Sequence, residues 1–148
     1  MKILVVDDKP IHRRSAKKLE ELGHAVVLES CYMDVFNRKD LETFDVALID
    51  LMMPAEDYAL GQKAMEEHLG KEIPIGYALV FRLAMAFIRR IAVVTDGNHH
   101  HDPMVATMDY LQRGIYQVGI GMVIMQYAHL NDDGSKNWEA ALKAVLTA

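Results

Sequence analysis

The chain has 148 residues, 51% of them apolar and 25% charged, with a net charge of −5 at neutral pH. That length suits one domain with one core, and the balance is that of a globular rather than a disordered chain. The acidic surplus argues against binding to a phosphate backbone, which draws on clustered Lys and Arg, so no nucleic-acid partner is expected.

Cys31 is the single cysteine. No intrachain disulfide can form, and a reducing, cytoplasmic setting is the simpler expectation. Only Lys2 precedes the short apolar run that ends in Asp7-Asp8, which is no signal peptide. The most apolar stretch, Ile73 to Ile88, is too short for a comfortable membrane span and contains Pro74 and Arg82. Arg13-Arg14 and Lys17-Lys18 are followed at once by Glu20-Glu21, which reads as a solvated helix face.

In chain order, Lys2 to Val6 is a first strand. Pro10 opens a helix with Ile11, Ser15, Leu19 and Leu22 on one face, and Gly23 ends it. Ala25 to Leu28 is a second strand, apolar throughout as a strand covered on both faces should be. Ser30 to Phe44 is polar and has room for one short helix. Asp45 to Asp50 is the third strand. Glu56 to Leu69 then reads as a helix with Leu60, Ala64 and Leu69 inward, stopped by Gly70. Pro74 opens a second helix to about Arg89, apolar almost all round. Ile91 to Thr95 is the fourth strand. Asp102-Pro103 supplies an N-cap and first-turn proline for a helix with Met104, Met108 and Leu111, closed by Gly114. A fifth strand lies within Val118 to Gln126, and Asn137 to Leu146 is a final helix. Strands alternating with helices predict a doubly wound parallel sheet.

In such a sheet the carboxyl ends of the strands converge on one edge. Asp7-Asp8, Asp50 and Thr95 each close a separate strand, so the four fall into one site. Clustered carboxylates repel and raise one another's pKa. A divalent cation with oxygen ligands relieves that, Mg²⁺ being the most natural, and it implies an anionic reactant.

Met1-Lys2-Ile3-Leu4-Val5-Val6-Asp7-Asp8 and Asp45-Val46-Ala47-Leu48-Ile49-Asp50-Leu51-Met52-Met53-Pro54 resemble the first and third strands of the receiver domains of two-component response regulators. Val93-Val94-Thr95 resembles the fourth more loosely. The resemblance implies a flavodoxin-like five-stranded parallel sheet in the order 2-1-3-4-5, as a single receiver-like domain over 1–148 without an output domain. It implies that Asp50 accepts a phosphoryl group from a histidine kinase or a phosphotransfer protein, as a phosphoacceptor rather than a turnover enzyme. Asp7, Asp8, Asp50 and the Met52 carbonyl would hold Mg²⁺, and Thr95 would hydrogen-bond the phosphoryl group. Signalling would then run through contacts with a protein target.

Several positions depart from that pattern. Such receivers carry a Lys at the end of the fifth strand; Met125-Gln126-Tyr127 stands there, so a neutral amide is expected in place of the cation. Asp96 follows Thr95 where the family has a small residue, and Val123 stands where it has a switch aromatic. Forty-four residues separate Asp50 from Thr95, more than one crossover helix requires. The surplus reads as the 74–89 helix, whose Tyr77, Phe81, Leu83, Met85 and Phe87 put apolar bulk on both sides and point to a homodimer or target contact. Two other functions use the same carboxylates: an interaction module without a working phospho-switch, or a metal-dependent phosphohydrolase with Asp96 as its acid. His99, His100 and His101, between Asp96 and Asp102, read either as a polar loop or as a transition-metal site.

Overall fold

The computed structural model describes residues 1–56, 61–97, 102–112 and 114–148, with the backbone alone at Met65. In chain order the elements are β1 (Lys2–Val6), α1 (Pro10–Ala16), α2 (Lys18–Glu21), β2 (Ala25–Glu29), α3 (Tyr32–Asn37), a 3-10 turn (Leu41–Thr43), β3 (Val46–Asp50) and β4 (Met53–Pro54). They continue with α4 (Gln62–His68), β5 (Glu72–Ile73), α5 (Gly76–Met85), β6 (Arg90–Thr95), α6 (Pro103–Ala106), α7 (Met108–Leu111), β7 (Ile115–Val118), β8 (Gly121–Tyr127) and α8 (Trp138–Thr147). Among the described residues no helix is long and apolar enough to cross a membrane.

The main sheet runs β2-β1-β3-β6-β8-β7. Its first five strands are parallel, in the expected order. β7 is an additional edge strand, antiparallel to β8. It joins β8 through the two residues Gly119 and Ile120, with Gly119 at φ +58°. A two-residue turn with a left-handed glycine is how adjacent antiparallel strands are joined, so the single strand expected from Val118 to Gln126 is one arm of a hairpin.

Alternation along the strands divides the core between the two faces of the sheet. Leu4, Val6, Ala47, Ile49, Ile91, Val93 and Val123 pack with Tyr32, Val35, Leu79, Leu83, Val105 and Met108 on one side. Ile3, Val5, Val46, Leu48, Ala92, Val94 and Ile124 pack with Leu19, Trp138, Ala141, Leu142 and Val145 on the other. All three central strands are therefore covered twice, which explains their continuous apolar runs.

The route from β3 to β6 corrects the expectation about the surplus helix. α5 is the crossover itself, since Leu79, Val80, Leu83 and Ala84 are buried in the core on one side of the sheet. The surplus is the excursion before it, tied off where β4 pairs antiparallel with β5. Within that excursion α4 covers only 62–68, Leu69 is exposed, and Leu60 lies outside the described residues. The helix expected from Pro10 to Leu22 is likewise two segments, broken at Lys17, and Leu22 is exposed.

Gly76, Leu79, Val80, Leu83 and Ala84 form the i, i+3, i+4, i+7, i+8 stripe of an ordinary amphipathic helix. Phe81 and Met85 fall on its exposed side, and Phe87 beyond it is also exposed. The Phe87 N–H donates to the Ala84 carbonyl at 3.0 Å and the Ile88 N–H to the Leu83 carbonyl at 3.2 Å. That pair of bonds is a Schellman motif, with buried Ile88 against Leu83 as its usual apolar contact. Phe87 takes the left-handed position of this motif, φ +66°, which normally falls to glycine. We expect Phe87→Gly to raise unfolding free energy by about 1 kcal/mol, the cost of a left-handed conformation for a residue with a Cβ. Leu83→Ala, one helical turn earlier, should lower it by about 2–5 kcal/mol. Urea denaturation of both variants checks the pair.

Candidate functional site

The parallel strands end on one edge, and the acidic residues end with them. Asp7 and Asp50 are fully buried, and Asp8 is half-buried. One oxygen from each of Asp7, Asp8 and Asp50 lies within 4.8 Å of the other two. The loop after β1 is fastened by Arg13, whose Nη1 donates to the Asp7 carbonyl at 3.0 Å and to the Asp8 carbonyl at 2.6 Å. The Lys9 N–H donates to Asp7 Oδ1 at 2.9 Å, and the Met52 N–H to Asp50 Oδ1 at 3.3 Å.

The start of α5 locks the chain just after Asp50. The Gly76 N–H donates to the Leu51 carbonyl at 3.0 Å. A Cβ on residue 76 would sit 2.6 Å from the Asp50 carbonyl oxygen and 2.8 Å from the Leu51 Cα. Only glycine allows this approach of helix to strand end, so the backbone beside Asp50 is set by α5.

Lys136 overturns the expectation of a missing cation. Its side chain is fully buried, with Nζ 2.7 Å from Asp7 Oδ2 and 2.7 Å from Asp50 Oδ2. The Asp7 contact is an aligned hydrogen bond. The Asp50 contact is an ion pair by distance only, so Asp50 Oδ2 accepts no aligned bond. Asp96 Oδ1 stands farther off, 3.7 Å from the same ammonium.

This cation arrives from a loop. Past Tyr127, the Ala128 N–H donates to the Thr95 carbonyl at 2.7 Å, which keeps the chain beside β6 for one more residue. The chain then leaves and returns. Leu130 and Lys136 form an antiparallel bridge, the Asn131 N–H donates to the Ser135 carbonyl at 2.8 Å, and the Asn137 N–H donates to the His129 carbonyl at 2.7 Å. Asp133 Oδ1 accepts from the Ser135 N–H at 2.9 Å and from its hydroxyl at 2.6 Å, beside left-handed Gly134. Lys136 sits at the closing end of this excursion, which no count along a strand would locate. The sequence does hold one signal: Lys136 is the only Lys or Arg between Gly114 and Leu142.

Gln126, expected at the cation's place, pairs with Val94, one residue short of Thr95. Tyr127 stands opposite Thr95 instead, and its hydroxyl donates to Asp109 Oδ1 at 2.6 Å. That hydrogen bond pushes the Tyr127 phenol up to about 12. Val123 is buried in the core. Thr95 is fully buried at the end of β6. His99, His100 and His101 lie outside the described residues.

The electrostatics follow from burial. Desolvation pushes the Asp50 carboxyl up to about 7, with Lys136 opposing the shift and Asp7 adding to it. Burial and then repulsion from Asp7 raise Asp8 as well. Asp96 goes the other way. Burial opposes its ionisation, but Lys136, Lys9 and His12 together outweigh that and hold it at about 2. Its carboxylate takes a 3.0 Å contact from His12 Nε2 and lies 3.4 Å from Lys9 Nζ, so its charge is compensated rather than added to the pocket.

The cluster suits a divalent cation. Asp8 Oδ1 is buried without a hydrogen-bond partner, and the carboxylate oxygens of Asp7, Asp8 and Asp50 are the hard ligands Mg²⁺ takes. Among the described residues these three are the acidic group close enough to share an ion.

No protein-family model and no curated protein matches the sequence. Solved structures do match. A structure of the response regulator RcsB of Salmonella typhimurium, described for its conformational dynamism in DNA interaction, is 21% identical with a TM-score of 0.53 over 99% of this chain and 59% of that one. RcsB of Salmonella enterica serovar Typhimurium, bound to promoter rprA in the presence of BeF3⁻, is 19% identical with a TM-score of 0.50 over 100% of this chain and 66% of that one. The isolated REC domain of the same regulator is 23% identical over 74% of this chain and 70% of that one, with a TM-score of 0.44. The chain thus spans 59–66% of the two longer regulators. With its parallel strands in the order β2-β1-β3-β6-β8, the chain has the fold of a response-regulator receiver domain.

Proposed function

We propose that the protein is a phosphoacceptor signalling domain that takes a phosphoryl group on Asp50 from a histidine kinase or a phosphotransfer protein. The observation that carries this reading is the buried Lys136 ammonium, 2.7 Å from both Asp7 and Asp50 inside an acidic cluster. A cation so placed can pair with a phosphoryl oxygen while Asp50 attacks. The Asp50 carboxylate oxygen would form the new bond to phosphorus as the bond from phosphorus to the donor nitrogen breaks, the electron pair leaving with the imidazole. Lys136 would turn from Asp50 to the incoming oxygens, and the Thr95 hydroxyl would donate to one of them. Stabilising this spread of charge is the main task in phosphoryl transfer. Asp7, Asp8, Asp50 and the Met52 carbonyl would hold Mg²⁺, which supplies further positive charge to the phosphoryl oxygens. Asp50 has to be ionised to attack, and both cations favour that state against its burial.

The product adds negative charge and acceptor oxygens at the edge of the sheet, and such a change biases nearby surface elements. Output through protein contacts, from one receiver-like domain in the cytoplasm, completes the reading. A phosphohydrolase is less well supported. Asp96 was its candidate acid, but Asp96 is held ionised at about 2 by Lys136, Lys9 and His12.

Two outcomes test the site. Asp50→Asn should abolish covalent labelling by a small phosphodonor with Mg²⁺, read by intact mass; unlabelled wild type would instead favour a receiver-like interaction module. The same change should stabilise the fold at neutral pH. Because the folded Asp50 pKa lies above its unfolded value of 3.8, the folded state binds more protons between them, and wild-type stability falls as pH rises toward about 7. Without divalent ions, Asp50→Asn should be on the order of 1 kcal/mol more stable than wild type at pH 8, with that gain gone below about pH 4. Asp8→Asn should weaken Mg²⁺ binding at least about tenfold, since it removes a charged ligand from a hard cation. Unchanged affinity in a Mg²⁺ titration would refute this ligand set.

A further inference from the structure

A lysine at a strand end is located by the ladder that carries it. Lys136 has no such ladder, since it lies nine residues past Tyr127 at the close of a loop. Its long flexible stem makes the position of its main chain decisive, because four single bonds alone do not aim an ammonium. The structure shows what fixes that main chain. The Lys136 N–H donates to His12 Nδ1 at 3.1 Å, and the Lys136 carbonyl accepts from Ser15 Oγ at 2.8 Å and Asn131 Nδ2 at 3.3 Å. His12 and Ser15 are buried residues of α1, the helix that follows directly on Asp7-Asp8.

Because His12 Nδ1 accepts a hydrogen bond, the ring proton sits on Nε2. That N–H donates to Asp96 Oδ2 at 3.0 Å. One ring therefore holds the backbone of the lysine with one nitrogen and a competing carboxylate with the other. Asp96 Oδ1 lies 3.7 Å from the ammonium, against 2.7 Å for Asp7 and Asp50. Lys9 Nζ also lies 3.4 Å from Asp96 Oδ2, so that carboxylate keeps a partner when the His12 contact is lost, whereas the Lys136 N–H takes His12 Nδ1 as its acceptor. The backbone of His12 is itself clamped, its carbonyl accepting from Trp138 Nε1 at 2.9 Å. Trp138 also walls the ammonium, its ring centroid 5.5 Å from Lys136 Nζ.

We propose that His12 is the positioning residue for the Lys136 ammonium, doing from α1 what strand register does for a lysine at a strand end. This deepens the phosphoacceptor reading and rests on it for its consequence. Its geometry stands apart from any transfer, and so does its test.

Two near-isosteres separate the two ring nitrogens. His12→Asn keeps an acceptor near Nδ1 for the Lys136 N–H, and His12→Gln keeps a donor near Nε2 for Asp96. The full chain, labelled in its lysines and without phosphodonor, is observed by NMR, with Lys136→Met assigning the Lys136 ammonium and ε-methylene signals. We expect those signals to stay buried and slowly exchanging in His12→Asn and to move to free-lysine positions in His12→Gln. A released ammonium no longer repels a divalent ion, so Mg²⁺ affinity in His12→Gln should rise at least several-fold, toward that of Lys136→Met. In the Lys136→Met background, His12→Gln should then change Mg²⁺ affinity no further. A purely structural His12 would lower the melting temperature in both variants and leave the ammonium signals in place, which overturns the proposal. Failure of wild type to take a phosphoryl group would sink the phosphoacceptor reading while leaving the ammonium result intact.

Discussion

A fully buried ammonium between two fully buried carboxylates is the constraint on which this molecule turns. Three strand ends deliver Asp7, Asp8, Asp50 and Asp96 to one edge, and sheet topology gives the chain no means of keeping them apart. Removing such charges from water is costly, and leaving one unpaired is costlier still. Lys136 offsets part of this, but burial, with Asp7 adding to it, still holds the Asp50 pKa up at about 7. The residual strain is useful. A site that is over-negative when empty favours a divalent cation, and a carboxylate reluctant to ionise is one that a cation brings into its reactive form.

The parts around that interaction serve to hold it. Gly76 lets α5 press against the chain at Asp50 and Leu51, closer than any side chain would permit. α1 follows the Asp7-Asp8 loop and carries both Arg13, which binds the carbonyls of that loop, and His12, which binds Lys136. α8 contributes Trp138, bonded to the His12 carbonyl. α1 and α8, on the same side of the sheet, are thus tied to one another at the acidic end, by polar bonds that apolar packing alone would not specify.

How much of this was legible in the sequence depended on the range of each signal. Strand-end aspartates after runs such as Ile3 to Val6 and Val46 to Ile49 are local features; their alternation with helices implied a parallel sheet, and the strand order came from the receiver resemblance. The extra hairpin was hidden because Ile115 to Val118 is short and half-exposed, with its one sign a glycine at the turn. The surplus helix was misplaced for a related reason. All-round apolar composition marked the 74–89 stretch as unusual, whereas the Gly76 to Ala84 stripe is that of an ordinary crossover with apolar residues left on its outer side. Lys136 reaches the site by three-dimensional return rather than by register, whereas the end of the fifth strand, where the family pattern has its Lys, points to Gln126. His12 carried no warning in a stretch of basic residues, since a histidine's use of both ring nitrogens is visible only once its partners are placed.

Phosphoryl transfer to this edge of the sheet, and to Asp50 in particular, leaves a chemical mark that can be read directly. Reducing an acyl phosphate with borohydride converts the modified aspartate to homoserine, and peptide mass mapping then reports which residue carried it. After incubation with a small phosphodonor and Mg²⁺, homoserine is expected at position 50 and at no other aspartate. Homoserine at Asp7, Asp8 or Asp96, or no conversion at all, would contradict transfer to Asp50.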